Sequence, residues 1–432
     1  MVRDMMEFLS QSPSAFHAVR NLAGMLEKAG YRRLKESEKW NLAAGDKVYV
    51  TRNLSSLIAF IVPREGFSSV RIAASHCDSP VFKIKEKAEL EVRGKYVQLD
   101  TERYGGMIMS TWFDRPLSVA GRVLVKTEKG VETRLVNLDE DTLMIPNVAI
   151  HMNRGINDGY KYNAQSDLMP LFGSIAAKGT FMKRIAENCG ASAEDILGHD
   201  LYLYSRTAPT GWGTDGEFVS AGRLDDLECA YTTARAMADC APAHGMPVLA
   251  VFDNEEVGST TKQGADSTFL TDVLRRAAAC MGASEEDFLR AQANSLMLSC
   301  DNAHAVHPNH PEFSDAVNCS FMNEGIVIKE SANQKYTSDG ASKAVFRAIL
   351  DRANVPYQFF ANRSDMIGGG TLGNIANSHF SLNTVDIGLP QLAMHSCYET
   401  AGVKDVESMI RGVRAFFEAD VKTDADGEFI IG

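Results

Sequence analysis

The chain has 432 residues, enough for two or three domains, and its 45% hydrophobic and 23% charged residues are typical of a globular protein. Its 44 Lys and Arg against 56 Asp and Glu give a formal net charge of −12, which argues against a general nucleic-acid-binding surface. No apolar run is long enough to cross a membrane and the N-terminus lacks a signal-peptide core, so we expect a cytoplasmic protein with no nucleic-acid or membrane partner.

The first half of the chain begins with a helix and continues in strands. After Ser12-Pro13-Ser14, apolar residues recur at helical spacing up to Leu26, and Gly30 is a suitable stop, which predicts a helix. Apolar segments then predict short strands, the last of them leading into His76. From residue 85 to 216, short alternating segments separated by Gly turns predict a mostly antiparallel β domain.

The second half alternates between helical and apolar strand patterns. From Leu224 onward, helical segments separate the strand candidates MPVLAVF, NSLMLSC and PYQFFA. Such alternation predicts an α/β fold with an open, mostly parallel sheet and helices on both faces. We therefore predict one discontinuous α/β domain, residues 1–84 and 217–432, interrupted by a β-rich domain, residues 85–216.

Four of the apolar strand candidates end in side chains that could bind a metal ion or move a proton. The residues at these four ends are His76, Asp78, Glu255, Glu256, Asp301 and His395. In open α/β sheets, ligands bind beyond the carboxyl ends of the strands, so we expect these distant segments to meet in one crevice. Alternation along the strand places His76 and Asp78 on the same side, where Asp78 could orient the imidazole.

Each motif also has a structural explanation when it is taken alone. A strand-end His can lie beside a solvated Asp, Asp225 and Asp226 can complement a helix dipole, and Glu255 and Glu256 can belong to an acidic loop. Taken together, the histidines and carboxylates suit zinc or another divalent first-row ion. Five ligands with one shared carboxylate match a two-metal hydrolase, and the remaining glutamate could take a proton from water. The eight cysteines contain no Cys-x-x-Cys pair, so neither a zinc ribbon nor a disulfide framework is expected.

The chain resembles the M18 metallopeptidases, whose best-known members are the aspartyl aminopeptidases. The matching segments occur in family order: SHCDSP (75–80), YGGMIMSTWFDRPLSVAGRV (104–123), GRLDDL (222–227), FDNEEVGS (252–259), DNAHAVHPN (301–309), GIVIK (325–329), GGGTLGNI (368–375) and LPQLAMHS (389–396). The resemblance implies a peptidase core that holds two zinc ions and carries an inserted, β-rich oligomerisation domain. It also implies a homo-oligomer, a dodecamer built from dimers.

The resemblance assigns a role to each candidate residue of the metal centre. It implies that His76 and Asp301 hold one metal, that Glu256 and His395 hold the other, and that Asp225 bridges them. Glu255 is then the general base, and Asp78 is a catalytic supporting carboxylate. Zinc is the expected metal, with cobalt or manganese as alternatives.

Three further residues are assigned to substrate binding by the same resemblance. His151 corresponds to a histidine that is presented to the active site of a neighbouring subunit, although it could be an ordinary loop histidine. Lys329 corresponds to a basic residue near the pocket for the first side chain of the substrate, although it could be a solvated strand-end lysine. His307 lies within the DNAHAVHPN segment.

We therefore expect a metallo-aminopeptidase that removes N-terminal residues, with a preference for Asp and Glu, from peptide substrates. The expected reaction is attack of a metal-bridging hydroxide on the scissile carbonyl. Two enzymatic alternatives share this architecture, an M42-like aminopeptidase of different specificity and a dizinc deacylase. A metal-stabilised, peptide-binding assembly protein is the non-enzymatic alternative, and the presence of Glu255 argues against it.

Overall fold

The computed structural model describes all 432 residues, which form ten α-helices and twenty-two strands. The helices are α1 (Val2–Ser10), α2 (Ala15–Lys28), α3 (Ala164–Asp167), α4 (Phe181–Cys189), α5 (Leu224–Asp239), α6 (Phe269–Cys280), α7 (Glu285–Ala293), α8 (Gly340–Arg352), α9 (Leu372–His379) and α10 (Val403–Glu418). None of them combines the length and the apolar character that a membrane span needs.

The strands contain between two and twelve residues. They are β1 (Arg32–Leu34), β2 (Lys47–Arg52), β3 (Ser56–Ile61), β4 (Val70–His76), β5 (Val81–Val92), β6 (Tyr96–Tyr104), β7 (Leu117–Thr127), β8 (Gly130–Asn137), β9 (Leu171–Ser174), β10 (Ile196–Ser205), β11 (Thr210–Trp212), β12 (Phe218–Ala221), β13 (Met246–Phe252), β14 (Leu296–Cys300), β15 (Ala303–His304), β16 (Ile326–Glu330), β17 (Tyr357–Ala361), β18 (Asn383–Gly388), β19 (Pro390–Leu392), β20 (Glu399–Gly402), β21 (Val421–Ala425) and β22 (Glu428–Ile431).

A nine-stranded sheet in the order β1-β2-β3-β13-β4-β14-β18-β16-β17 forms the centre of the molecule. Its middle strands β13, β4, β14 and β18 are parallel, and every residue of β4, β13 and β14 is buried. Strands of this kind are near-continuous apolar runs because helices cover both faces of the sheet. Alternate residues of β13 enter two separate cores. Leu249 packs in the core that contains α1, α2, α5, α8 and α10. Val248 packs in the core that contains α6, α7 and α9. The predicted α/β architecture is confirmed.

The nine-stranded sheet is mixed, because three of its neighbouring pairs run antiparallel. Strand β3 is antiparallel both to β2 and to β13, and β16 is antiparallel to β18. The turn Asn53–Ser55 reverses the chain directly from β2 into β3, whereas parallel neighbours need a longer crossover. The sequence prediction of a mostly parallel sheet therefore describes the centre of the sheet better than its edges.

A six-stranded antiparallel sheet, in the order β8-β7-β10-β5-β6-β9, is built entirely from the chain between Val81 and Ser205. It has its own core of 20 buried residues, in which the ring of Phe82 meets Trp112 edge to face. Arg122 of β7 connects it to the rest of the molecule, since its guanidinium donates to the Asn53 carbonyl at 2.8 Å and lies 4.4 Å from the Phe16 ring centroid.

A five-stranded sheet, in the order β11-β12-β20-β19-β15, lies at the site described below. Its strands contain only two to four residues, too few for an alternating pattern to stand out in the sequence. Strand β12 leads into α5, β15 follows Asp301, and β19 leads to His395. The small sheet therefore collects segments that carry three of the predicted ligands. A hairpin of β21 and β22 ends the chain.

Candidate metal centre

Three neighbouring parallel strands deliver one side of the candidate site. His76 is the last residue of β4, Glu255 and Glu256 form a short 3-10 helix after β13, and Asp301 follows β14. Strand β4 lies between β13 and β14 in the sheet, and the three strands end at the same edge. The four side chains therefore converge beyond the carboxyl ends of the strands, as the sequence predicts.

The five-stranded sheet delivers the other side of the site. Asp225 lies at the start of α5, where the helix is kinked and the residue has non-helical angles of φ −79° and ψ 111°. His395 follows β19 in a turn and has a φ of 67°. Its Nε2 lies 3.2 Å from Asp225 Oδ2 and 3.4 Å from Glu256 Oε2. The two sheets thus bring five predicted ligands to one place.

Three overlapping groups of side chains could hold a metal ion, each with its ligand atoms within 4.8 Å of one another. They are His76 with Asp225, Asp226 and Asp301; His76 with Glu255 and Glu256; and Asp225 with Glu256 and His395. Asp225 belongs to two groups because its oxygens face different imidazoles, Oδ1 at 3.5 Å from His76 Nε2 and Oδ2 at 3.2 Å from His395 Nε2. A carboxylate shared by two ions requires this kind of placement.

The residues present fit zinc. Asp225 Oδ1 and Glu256 Oε1 are buried and have no hydrogen-bond partner. A buried, unpaired carboxylate oxygen is costly unless a cation or a proton satisfies it. Neutral imidazole and carboxylate oxygen are also the non-thiolate ligands that zinc prefers.

Without a cation, the crowded carboxylates disturb one another strongly. Burial raises the pKa of Glu256 well above its usual range, and the neighbouring Asp225 adds to the effect. Burial also raises the pKa of Glu255 to about 8, against the lowering influence of His76. In Asp225 burial acts in the same direction, but the nearby imidazoles of His395 and His76 outweigh it and lower the pKa. A divalent cation at this position would favour the charged carboxylates.

Asp78 connects the His76 strand to the loop that carries the two glutamates. Its Oδ1 accepts the Glu255 backbone N–H at 3.1 Å, and its Oδ2 accepts the Glu256 backbone N–H at 3.2 Å. The backbone carbonyl of Asp78 lies 3.1 Å from His76 Nδ1, which can donate to it and so leave Nε2 free as a ligand atom. Asp78 therefore lies where a supporting carboxylate is needed.

The site makes two hydrogen bonds, one with strand β6 of the six-stranded sheet and one with the loop after β6, that the sequence did not predict. The Tyr104 hydroxyl, at the end of β6, donates to Asp78 Oδ2 at 2.6 Å and accepts from Asn254 Nδ2 at 2.9 Å. The Gly106 carbonyl lies 2.6 Å from His395 Nδ1, which orients Nε2 towards the site. The segment YGGMIMSTWFDR signalled this region through the family resemblance, but no role could be read for Tyr104.

Asp226 is a second addition to the sequence interpretation. It is fully buried, and its Oδ2 accepts the His76 backbone N–H at 3.1 Å. Burial raises its pKa well above the usual range. The helix-dipole role considered for the Asp225–Asp226 pair therefore does not describe its surroundings, because Asp226 packs beneath His76.

The structure does not bring the three predicted substrate-binding residues into the metal-capable groups. Lys329 is buried in β16, where its ammonium donates to the Asp301 carbonyl at 2.7 Å and lies 5.1 Å from the Tyr336 ring centroid. His151 lies on an exposed turn between β8 and α3. His307 is exposed, and its Nδ1 accepts the Asn309 backbone N–H at 3.2 Å. Their assignments stay predictions.

Comparison with known sequences finds relatives of one family that match almost the whole chain. A family model described as aminopeptidase I zinc metalloprotease (M18) matches residues 8–417. The chain is 46% identical over 414 residues to a probable M18 family aminopeptidase 2 of Clostridium acetobutylicum, with 93% of this chain and 95% of that protein covered. It is 38% identical over 427 residues to a probable M18 family aminopeptidase 2 of Ectopseudomonas mendocina, with 97% and 98% covered.

Solved structures agree with this likeness. A chain in the cryo-EM structure of the Ape4 and Nbr1 complex superposes with a TM-score of 0.93 at 34% identity, covering 96% of this chain and 84% of that chain. The S. cerevisiae mApe1 dodecamer contains a chain with a TM-score of 0.84 at 26% identity, covering 96% of this chain and 95% of that chain.

Proposed function

Because this chain belongs to the M18 family of zinc metallopeptidases, we propose that it is a two-zinc aminopeptidase that removes acidic residues from the N-termini of peptides. Family membership makes the chain a zinc-dependent aminopeptidase, and the proposal adds the number of ions, the residue roles and the substrate preference. The observation that carries it is Asp225, whose two oxygens face His76 and His395 separately, with Oδ1 unpartnered.

In this proposal His76 and Asp301 hold one zinc ion, Glu256 and His395 hold the other, and Asp225 is shared. When bound, zinc lowers the pKa of a coordinated water and polarises the substrate carbonyl. Three of the five ligands come from strand ends and two from the five-stranded sheet, so substrate is expected to enter between the two sheets. Tyr104 and Gly106 fix the orientation of this arrangement from the side of the six-stranded sheet.

Glu255 serves as the general base. It takes a proton from the attacking water and delivers it to the amine that leaves. Its backbone N–H is fixed by Asp78, and its carboxylate joins the group of His76 and Glu256. Glu256 lies within 3.4 Å of His395 Nε2, whereas Glu255 has no such contact. This difference supports the assignment of Glu256 as the ligand and of Glu255 as the general base.

The preference for acidic residues rests on Lys329, which would place a buried positive charge behind Asp301. Its charge is well maintained, since Asp301 and Asp386 raise its pKa although burial lowers it. Its ammonium also donates to the carbonyl of Asp301, so a substrate carboxylate would have to compete with that contact.

We propose a homo-oligomeric assembly, a dodecamer built from dimers, by analogy with the mApe1 dodecamer. The division into a peptidase domain, predicted as residues 1–84 and 217–432, and an association domain, predicted as residues 85–216, belongs to this proposal, with the boundaries moved to the six-stranded sheet that begins at Val81 and ends at Ser205. The exposed turn of His151 would then contribute to a neighbouring subunit, and His307 would lie near substrate. The cytoplasmic location expected from the sequence stays a prediction.

The test is hydrolysis of a peptide panel with N-terminal Asp, Glu, Leu, Ala, Lys and N-acetyl-Asp, with and without a chelator. We expect the enzyme to release the N-terminal residue from peptides with a free Asp or Glu terminus, and a chelator to stop this release. We expect no release of the N-terminal residue from the N-acetyl-Asp peptide. A preference for Leu or Lys would retain the aminopeptidase and overturn the acidic preference. Release of acetate from N-acetyl-Asp would instead indicate the deacylase.

A further inference from the structure

Glu399 is a buried carboxylate that contacts the backbones of two predicted zinc ligands. It is the first residue of β20 and is 2% exposed. Its Oε1 accepts the His395 backbone N–H at 2.7 Å, and its Oε2 accepts the Asp225 backbone N–H at 3.0 Å. One side chain therefore joins two ligand segments that are far apart in the chain.

Glu399 also belongs to a buried chain of hydrogen bonds that reaches a third ligand segment. Gln391 Nε2 donates to Glu399 Oε1 at 3.4 Å, and Asn302 Nδ2 donates to Gln391 Oε1 at 2.8 Å. Asn302 directly follows Asp301. Three of the five ligand segments are thus connected beneath the site through polar side chains.

These segments need such a support because regular secondary structure does not hold them. His395 and Ala393 both have left-handed φ values, 67° and 60°, which are costly for residues other than glycine. Asp225 lies at the kink of α5, where the backbone leaves helical geometry. A buried side chain that accepts both N–H groups can stabilise the two bends together, because each hydrogen bond restrains one of them.

We propose that Glu399 is a positioning residue that sets the separation of Asp225 and His395 and thereby the affinity for the zinc ion between them. The inference rests on the two-zinc function proposed above. Glu399 touches neither substrate nor the reacting atoms, and it acts only through the two backbones. Partners of this kind typically change metal affinity by about 10–100-fold when they are replaced.

The experiment measures zinc binding to Glu399→Gln by competition with a chelating dye. Glutamine keeps the shape of the side chain, but its amide nitrogen cannot accept an N–H, so one of the two backbone contacts is lost. We expect the zinc ion assigned to Glu256 and His395 to bind about 10–100-fold more weakly, and the other ion, which shares only Asp225 with it, to lose less affinity. The d–d absorption of a cobalt-substituted sample should change for the same ion.

Glu228→Gln is the matched control. Glu228 is equally buried and accepts from Asn302 Nδ2 at 3.2 Å, but its side chain makes no hydrogen bond with the backbone of a predicted ligand. The same chemical change at this position should leave both zinc affinities unchanged. Equal losses of zinc in the two variants would contradict the inference, because they would indicate a general effect of replacing a buried carboxyl group.

The outcomes separate the inference from the function on which it rests. A wild-type protein and a Glu399→Gln variant that bind two zinc ions equally tightly would overturn the role of Glu399 and leave the two-zinc function standing. A wild-type protein that binds a single zinc ion would overturn both. Should Glu399→Gln fail to fold, Gln391→Met removes a supporting contact of Glu399 at similar volume. Gln391→Met is then expected to weaken the binding of one zinc ion several-fold, and unchanged zinc affinities would overturn the inference.

Discussion

The nine-stranded and five-stranded sheets supply the candidate site in two different ways. The first presents His76 as the last residue of β4, Asp301 directly after β14 and Glu256 shortly after β13, so buried, neighbouring parallel strands bring them to one edge. The second presents Asp225 and His395 from bends beside strands of two to four residues. Side-chain hydrogen bonds, chiefly those of Glu399, replace the missing ladder. Ligands on short elements therefore depend on individual side chains, whereas ligands on a central sheet depend on the fold.

The largest effect is expected from a variant that removes the general base and leaves the positions of the zinc ligands unchanged. Glu255→Gln should reduce turnover by about 1,000-fold or more, because the amide cannot take the proton from the attacking water. Metal content should stay unchanged, since Glu256 and not Glu255 is the ligand that contacts His395. The measurement is turnover together with zinc content of the same purified sample. Loss of zinc in Glu255→Gln would mean that the roles of the two glutamates are exchanged.

A smaller effect is expected from Tyr104→Phe, which removes a support from the strand-end side of the site. The phenol donates to Asp78 Oδ2, but Asp78 keeps its contacts with the backbone N–H groups of Glu255 and Glu256. We therefore expect a loss of activity near the lower end of the range for supporting residues, about 10-fold, with both zinc ions bound normally. Turnover and zinc affinity are measured beside Glu399→Gln. A larger loss of zinc in Tyr104→Phe than in Glu399→Gln would reverse the contrast between the two sheets.

The sequence predicts the strand-end half of the site well because its signals are local. An apolar run followed by a candidate ligand identifies the ends of β4, β13 and β14 without any knowledge of tertiary contacts. The segment IGGGTLG, residues 367–373, fits no phosphate-loop spacing, and its glycines predict a close backbone approach. In the structure a Cβ on Gly373 would lie 2.8 Å from the Ser299 side chain, which agrees with that interpretation.

The sequence does not predict the other half because its determinants are distant or very short. The segment LPQLAMHS is interpreted as one strand ending at His395, but β19 ends at Leu392 and His395 lies in the turn that follows. The partners of Tyr104 and Glu399 are also non-local, since Asp78 is 26 positions from Tyr104 and Asp225 is 174 positions from Glu399. Such contacts leave no periodic trace, and only the family resemblance pointed to these segments.

A zinc titration tests the central claim most directly. Protein stripped with a chelator is given zinc in steps, while bound zinc and hydrolysis of a peptide with a free N-terminal Asp are measured together. We predict two zinc ions per chain and full activity only when the second ion has bound. Full activity with a single bound zinc ion per chain would contradict the shared role of Asp225 and the two-zinc account built on it.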